Sequence, residues 1–562
     1  MATAAFLPST TRRTLSRIHS PSFFAHSLLS TDTHIDSTSN DRTTLSVAIV
    51  GSGPSGCYTA KYLTSQLLKE QKQSSFASNG LKGLKRLEID VLDRLPTPFG
   101  LVRNGVAPDH PEVKNVEHDF STLFQNQNRD QQQQQQQQET QNDDDSVLVS
   151  SIEFRGNVDI GTNISLSELS NIYDVVVLAY GCESDRHLTI PGTDLNGILS
   201  AREFVNFYNG HVEYTHLKPS LQSALKNDPS SSHVVVIGQG NVALDCARIC
   251  AKGRLGLVDT DIASQALEVL EEGVFLTTVL GRRGHVQGAF TIKELRELTK
   301  MQDEYGATLI VRQDELDAGM TKASKQELTG RGSRPKVRIN DLLQSVATSA
   351  HDDVVDTSNG DTTSKSIQLR FLLNPIEFKP DPQNPSELGS IVCERTQLEG
   401  DPGQQRAVGT GDFQEIQANL ALVSIGYKGV PLPDMDPRYF DSDKGTYHHK
   451  CGKVDHANGL YVSGWIKRGP MGIIGSNIVD SKDTVYTIVD DLKGETVVLR
   501  KSEGKGRASL DKLLKERGID VVDWSGFEKI DFKEKDLSRR RSELQPREKI
   551  VDRFEMIKIA QS

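Results

Sequence analysis

No stretch of this 562-residue chain approaches the uninterrupted apolar run that a membrane span needs. Cysteine is scarce and poorly spaced for chemistry. The six are Cys57, Cys182, Cys246, Cys250, Cys393 and Cys451, and none forms C-x-x-C or a zinc-ligand spacing. This excludes a dithiol redox centre and gives no pattern for an iron–sulfur cluster of the chain's own, so no metal is expected. Cys246 and Cys250 stand one helical turn apart and read as small core residues. Positive charge is in deficit, with a formal net charge of −11, which argues against a general nucleic-acid binder. Acid, in turn, is missing from residues 1–31, where Arg12, Arg13 and Arg17 stand among many Ser and Thr. Arginine and serine without acid is the composition of an organelle transit peptide. Residues 1–43 are therefore expected to direct mitochondrial import, with chloroplast import as the alternative.

Glycine is abundant where it counts. Val47–Val50 reads as a buried parallel strand. Gly51, Gly53 and Gly56 follow as G-x-G-x-x-G, with Pro54 and Ser55 opening a helix whose apolar positions are Ala60, Leu63, Leu67 and Leu68. Strand, glycine turn and helix together point to dinucleotide binding. Gly51 permits the tight turn, Gly53 lets the backbone approach a pyrophosphate, and Gly56 lets the helix pack close to the strand. The helix N-terminus offers free N–H groups and positive dipole to phosphate. A second strand, Leu87–Leu92, ends at Asp93, an acid placed to hydrogen-bond an adenosine ribose.

The same device recurs at Val234–Ile237, followed by Gly238, Gln239, Gly240, Asn241, Val242 and Ala243. This G-x-G-x-x-A form is common in NADP sites. After the apolar run Phe275–Leu280, the strand end carries Arg282 and Arg283 instead of an acid. Two guanidinium groups there suit a 2′-phosphate, so NADPH is expected in preference to NADH.

Between and beyond these motifs the chain reads as alternating strands and loops. Pro96–Pro111 is too rich in proline and glycine for a long helix. Residues 125–145, with eight consecutive glutamines, have nothing apolar to pack and are expected to be a disordered insertion. Strand character resumes at Ile152–Ile160 and Tyr173–Gly181, and returns at Leu420–Tyr427 and Tyr461–Trp465. Residues 348–366 and 380–412 read as polar loops. Asn477–Leu492 has helical periodicity. Arg331, Arg334, Lys336 and Arg338 make a local basic run.

The run Pro96–Pro111 resembles the matching stretch of the mitochondrial NADPH–ferredoxin reductase family, the adrenodoxin reductase type. Gln287–Leu298, Gly469–Asn477 and Gln545–Asp552 are similar to the same family. The resemblance covers roughly 47–560 apart from the insertions. It implies an α/β fold of two doubly wound dinucleotide-binding domains. The FAD domain is split, 44–183 and 425–562, and the NADP domain, 184–424, is inserted within it. It implies that FAD lies against Gly51, Gly53, Pro54, Ser55, Gly56, Asp93, Leu101, Ile160, Trp465, Gly472, Ile473 and Ile474. NADPH would lie against Gln239, Gly240, Asn241, Val242, Arg282, Arg283 and Glu294, with Gly472 facing the nicotinamide. His110 and Glu294 would flank that ring, and Asp245 would join their hydrogen bonds or serve only its helix. Hydride would pass from NADPH to flavin, and single electrons from flavin to a [2Fe–2S] adrenodoxin-like ferredoxin in the mitochondrial matrix. The family places docking arginines on the NADP domain and on the helix of Arg296. Peripheral contact with the inner membrane is a further expectation. A flavin monooxygenase or another two-dinucleotide flavoprotein would share both glycine motifs and remains the alternative, as does a protein that binds FAD without oxidising NADPH.

Overall fold

The computed structural model describes residues 44–72, 81, 83–125, 148–226, 232–348, 365–497, 505–539 and 543–562. The expected transit peptide and all but Gln125 of the glutamine-rich insertion lie outside them.

Two seven-stranded sheets organise the chain. The first runs, edge to edge, His449–Lys450, Lys453–Val454, Leu460–Val462, Val175–Leu178, Thr44–Val50, Arg86–Leu92 and Val149–Arg155. Its pairings are parallel except at the His449–Leu460 edge. Strand Thr44–Val50 is central, buried from Leu45 onward. Its neighbours are the next strand in the chain on one side and a much later one on the other. That reversal of strand order opens a crevice at the carboxyl ends, where the Gly51 turn stands.

The second sheet runs Ala347–Thr348, Ala307–Arg312, Lys365–Phe371, Leu276–Gly281, His233–Ile237, Leu420–Val423 and Ile198–Ser200, with every pairing parallel. His233–Ile237 is wholly buried, as a strand covered on both faces must be. The chain passes between the sheets twice, and the crossings Ser184–Asp185 and Tyr427–Lys428 pair antiparallel.

The expected helices form at Pro54–Lys72 and Ser476–Lys493. Pro96–Pro111 holds one single-turn helix, Leu101–Asn104, and a second turn begins at Pro111. The polar reading of 380–412 is corrected. Leu373–Pro380, Leu388–Glu399 and Arg406–Gln417 form an antiparallel sheet. Its one buried face, Phe378, Leu388, Ile391, Cys393 and Ile416, covers Val235, Ile237 and Leu280 of the second sheet. The other face is polar, so the average over the segment looks like loop while the alternation is that of a half-buried strand.

Candidate active site

A cavity of about 590 Å³ lies at the carboxyl edge of the first sheet. Gly51, Gly53, Pro54, Ser55, Asp93, Leu101, Ile160, Trp465, Ile473 and Ile474 line it. Gly51 has φ +107°, and a Cβ there would stand 2.7 Å from the Ala179 oxygen. At Gly53 the nearest atom to a built Cβ is Gly100 Cα at 4.0 Å, so the backbone is open to the cavity. Gly56 does not line it. A Cβ at Gly56 would meet the Gly51 oxygen at 1.9 Å, so this glycine is what lets the helix lie against the turn. Asp93 fastens the turn from the neighbouring strand. Its carboxylate accepts from Ser52 N at 2.9 Å, Ser52 Oγ at 2.5 Å and Leu95 N at 3.0 Å.

Sequence reasoning missed the facing wall. Arg202, Asn206, His211, Glu213 and Tyr214, from the chain around helix Ala201–Tyr208, line the same cavity beside Arg94 and Glu183. Arg94 pairs with Glu183 at 3.0 Å and also with Glu213. Burial pushes the His211 imidazole down to about 4. It is therefore neutral, with Nδ1 accepting from Glu213 N at 3.2 Å. No local pattern announces these residues, because they come from the second sheet's half of the chain.

A second cavity, of about 690 Å³, is lined by Gln239, Gly240, Asn241, Val242, Arg282, Arg283, Trp465 and Gly472. A Cβ at Gly240 would meet nothing within 4 Å, and the helix Asn241–Leu257 starts with no side-chain cap. Free N–H groups at an open turn are what a pyrophosphate requires. Arg282 and Arg283 are exposed. The one side-chain hydrogen bond seen for either is Arg283 to the Gln287 oxygen at 3.4 Å, and no carboxylate of the described residues competes for them. Gly472 has φ +89°, and a Cβ there would reach Ser476 Oγ at 2.4 Å. It is therefore glycine for its own turn as well as for the cavity. Trp465 lines both cavities and stacks on Tyr427 with centroids 5.5 Å apart.

His110, Asp245 and Glu294 line neither cavity but are brought together. His110 Nε2 is 2.6 Å from Glu297 and 3.9 Å from Glu294. Glu294 occupies the first turn of helix Ile292–Tyr305, capped by Thr291. Asp245 reaches the group through Arg248, at 2.8 Å. Burial pushes the Asp245 and Glu294 carboxyls up, against the pull of Arg248 and His110. At Asp109 burial is outweighed by hydrogen bonds and attraction from Arg248 and Lys252, which hold the carboxyl below its usual range. The ligand atoms of His110, Glu294 and Glu297 lie within 4.8 Å of one another. Arg248 already stands 3.3 and 3.2 Å from the two glutamates, so the arrangement is an ion-pair network with its own cation.

Of the basic run, Arg334, Lys336 and Arg338 begin helix Arg334–Val346, which packs on the helix of Arg296. Arg296, Arg331, Arg334 and Arg338 are exposed, whereas Lys336 is paired with Glu327. All five described thiols other than Cys451 are buried, and no disulfide forms among them; burial holds Cys250 up at about 12.

Residues 45–269 match the pyridine nucleotide-disulphide oxidoreductase family. The chain is 39% identical over 518 residues to the mitochondrial NADPH:adrenodoxin oxidoreductase of Arabidopsis thaliana, covering 90% of this chain and 93% of that one. It is 36% identical to the protein of the same name from Homo sapiens, covering 93% of each. Among solved structures, Mycobacterium tuberculosis FprA in complex with NADPH matches with a TM-score of 0.73 and 33% identity, over 92% of this chain and 99% of that one. With that identity carried over nearly the whole length, the chain belongs to the NADPH:adrenodoxin oxidoreductase family.

Proposed function

We propose that the chain is an FAD-dependent NADPH–ferredoxin reductase that takes hydride from NADPH and delivers electrons singly to a [2Fe–2S] ferredoxin of the adrenodoxin kind. The observation that carries the reading is the meeting of the two glycine-turn cavities at Trp465, one with an acid at its strand end and the other with two arginines that no carboxylate of the described residues meets. Bound FAD would supply the change from two-electron to one-electron chemistry; the chain itself needs no nucleophile, because its work is binding and alignment.

On this reading the Gly51–Gly56 turn and helix Pro54–Lys72 hold the FAD pyrophosphate, and Asp93 has a carboxylate edge for the ribose. Leu101, Ile160, Trp465, Ile473 and Ile474 enclose the rest. Gln239, Gly240, Asn241 and Val242 hold the NADPH pyrophosphate, and Arg282 and Arg283 take the 2′-phosphate. Gly472 would leave the nicotinamide room to lie against the flavin, and His110, Glu294 and Asp245, which line neither cavity, would act on that ring's site from the ion-pair network around Arg248. The FAD domain is 44–183 with 425–562, and the NADP domain is 184–424. Arg296, Arg331, Arg334 and Arg338 form part of the ferredoxin docking face. The protein works in mitochondria, in the matrix, on the strength of its relatives' names and its acid-free first residues. Among the described residues no helix is long and apolar enough to cross a membrane; peripheral contact with the inner membrane is part of the same proposal.

The test is a stopped-flow record of flavin bleaching by NADPH, followed by reoxidation with a [2Fe–2S] ferredoxin. Bleaching and ferredoxin-dependent reoxidation are expected. Bleaching followed by oxygenation of a small substrate, with no response to ferredoxin, would favour the monooxygenase instead.

A further inference from the structure

Arg248 is 1% exposed, and the carboxylates around it come from three separate parts of the chain. Asp109 accepts from Nε at 2.7 Å and from Nη2 at 3.1 Å. Asp245, one turn earlier on the same helix, accepts from Nη2 at 2.8 Å. Glu294 and Glu297 lie 3.3 and 3.2 Å from Nη1. Lys252 reaches Asp109 at 3.0 Å, and His110 lies on Glu297.

Each of these segments leads to a cavity. Asp109 and His110 end the loop that begins with Leu101 in the first cavity. Arg248 and Asp245 stand on the helix whose first residues, Asn241 and Val242, line the second. Glu294 and Glu297 stand on the helix entered through Ala289–Thr291. There Thr291 N donates to Asn241 Oδ1 at 2.8 Å, and Ala289 N donates to the Gln239 oxygen at 2.8 Å. One planar, permanently charged group therefore fixes a flavin-side loop, the helix under the second cavity and the segment across its mouth. A buried ion network is weak support for stability, because apolar groups of the same volume often serve as well. What an apolar patch cannot supply is the directed fork that sets three segments at defined distances and angles.

We propose that Arg248 is a positioning residue for hydride transfer: it touches neither cofactor, and it sets His110, Glu294 and the Ala289–Thr291 segment relative to the flavin side. The inference rests on the reading of the chain as an NADPH-oxidising flavoprotein.

The experiment compares wild-type holoenzyme with Arg248→Met, Arg248→Lys and Asp109→Asn, measuring FAD content, NADP⁺ affinity and the pH dependence of flavin bleaching by NADPH. A displacement of about 1 Å between reacting groups can cost about 10²-fold in rate, and a loss of that order is expected in Arg248→Met, with FAD content and NADP⁺ affinity retained. Arg248→Lys and Asp109→Asn are expected to lose less, since each keeps part of the network. The groups facing the guanidinium are Asp109, Asp245, Glu294 and Glu297, with Lys252 beside Asp109 and His110 on the two glutamates. Removing the cation takes away a pull that lowers the Asp245 and Glu294 carboxyls. The acid limb of the bleaching rate is therefore expected to move to higher pH in Arg248→Met and to stay near wild type in Arg248→Lys. Wild-type rates and pH profiles in the variants, or a rate loss that only follows lost FAD, would overturn the inference. Should Arg248→Met take up no FAD, the two milder variants decide the matter: unchanged bleaching in both overturns it. Wild-type flavin that NADPH does not bleach would instead overturn the functional reading, and this inference with it.

Discussion

Set beside each other, the turn after Thr44–Val50 and the turn after His233–Ile237 share a buried central strand, a first glycine at positive φ and a helix leaving an open turn. They differ at the end of the next strand. In the first, Asp93 reaches back to Ser52 and so ties the turn to its neighbour. In the second, the turn is tied by Gln239, whose Nε2 donates to the Arg370 oxygen at 3.0 Å, and the strand-end arginines meet no carboxylate of the described residues. They differ also at the third motif position, Gly56 against Ala243. The shared backbone serves what all dinucleotides have in common, the pyrophosphate, while strand-end charge selects among them.

The largest expected effect breaks the charge difference. Replacing Arg282 and Arg283 together by alanine removes two charge-assisted contacts, worth about 1.5–3 kcal/mol each. KM for NADPH is expected to rise steeply while KM for NADH stays nearly constant, in steady-state reduction of ferricyanide. A double variant that keeps the preference for NADPH would move the 2′-phosphate elsewhere.

Next in size is the third position. Gly56→Ala forces a methyl against the Gly51 oxygen, where 1.9 Å is available, and overpacking of this kind costs about 1–3 kcal/mol. Lower FAD content and a lower unfolding temperature are expected. Ala243→Gly at the equivalent place adds no clash and costs about 1 kcal/mol of helix propensity. Equal losses in the two would mean that the turns do not pack as differently as their distances indicate.

Both turns and their strands were legible in the sequence because each strand, turn and helix is contiguous in the chain, and the strand-end charges because each ends the next apolar run. The split-domain α/β fold came with the family resemblance that these motifs share. The facing wall of the first cavity was not legible, since Glu213 meets Arg94 across more than a hundred residues. Arg248 escaped for the same reason: Asp245 is its neighbour in sequence, but Asp109 and Glu294 arrive by tertiary folding. The antiparallel sheet at 373–417 escaped because one polar face dilutes its alternation.

Two buried histidines from the second sheet's half of the chain offer a smaller, pH-dependent comparison. Burial pushes His211 beside the first cavity and His233 in the second sheet down to about 4. The unfolded chain protonates them near pH 6.5. Both folded-state values are depressed, so their stability contribution is complete above pH 6.5 and is lost as pH falls toward 4. At pH 5 each is expected to have cost about 2 kcal/mol. Urea midpoints at pH 7 and pH 5 measure the drop, and His233→Gln should flatten it, since Gln can still meet Thr278 Oγ1, which lies 2.8 Å from the imidazole.

The smallest effect separates docking charge from structural charge within one helix. Arg338 is exposed, while Lys336, two residues earlier, is paired with Glu327. Glu327 Oε1 in turn accepts from Gln287 Nε2 at 3.3 Å, and Gln287 lines the second cavity. Exposed charges contribute about 1 kcal/mol or less each, and they act mainly by steering association, which salt screens beyond about 8–10 Å. Arg296→Glu with Arg338→Glu should therefore slow ferredoxin-dependent turnover and flatten its salt response, leaving ferricyanide reduction by NADPH intact. Lys336→Glu sets two carboxylates against each other beside Gln287, so it should raise KM for NADPH in both assays. If Lys336→Glu instead behaved like the arginine pair, its ammonium would belong to the docking face and the Glu327 pairing would be incidental. If the arginine pair slowed both assays, these residues would be supporting the NADPH site and steering the ferredoxin would fall to another surface.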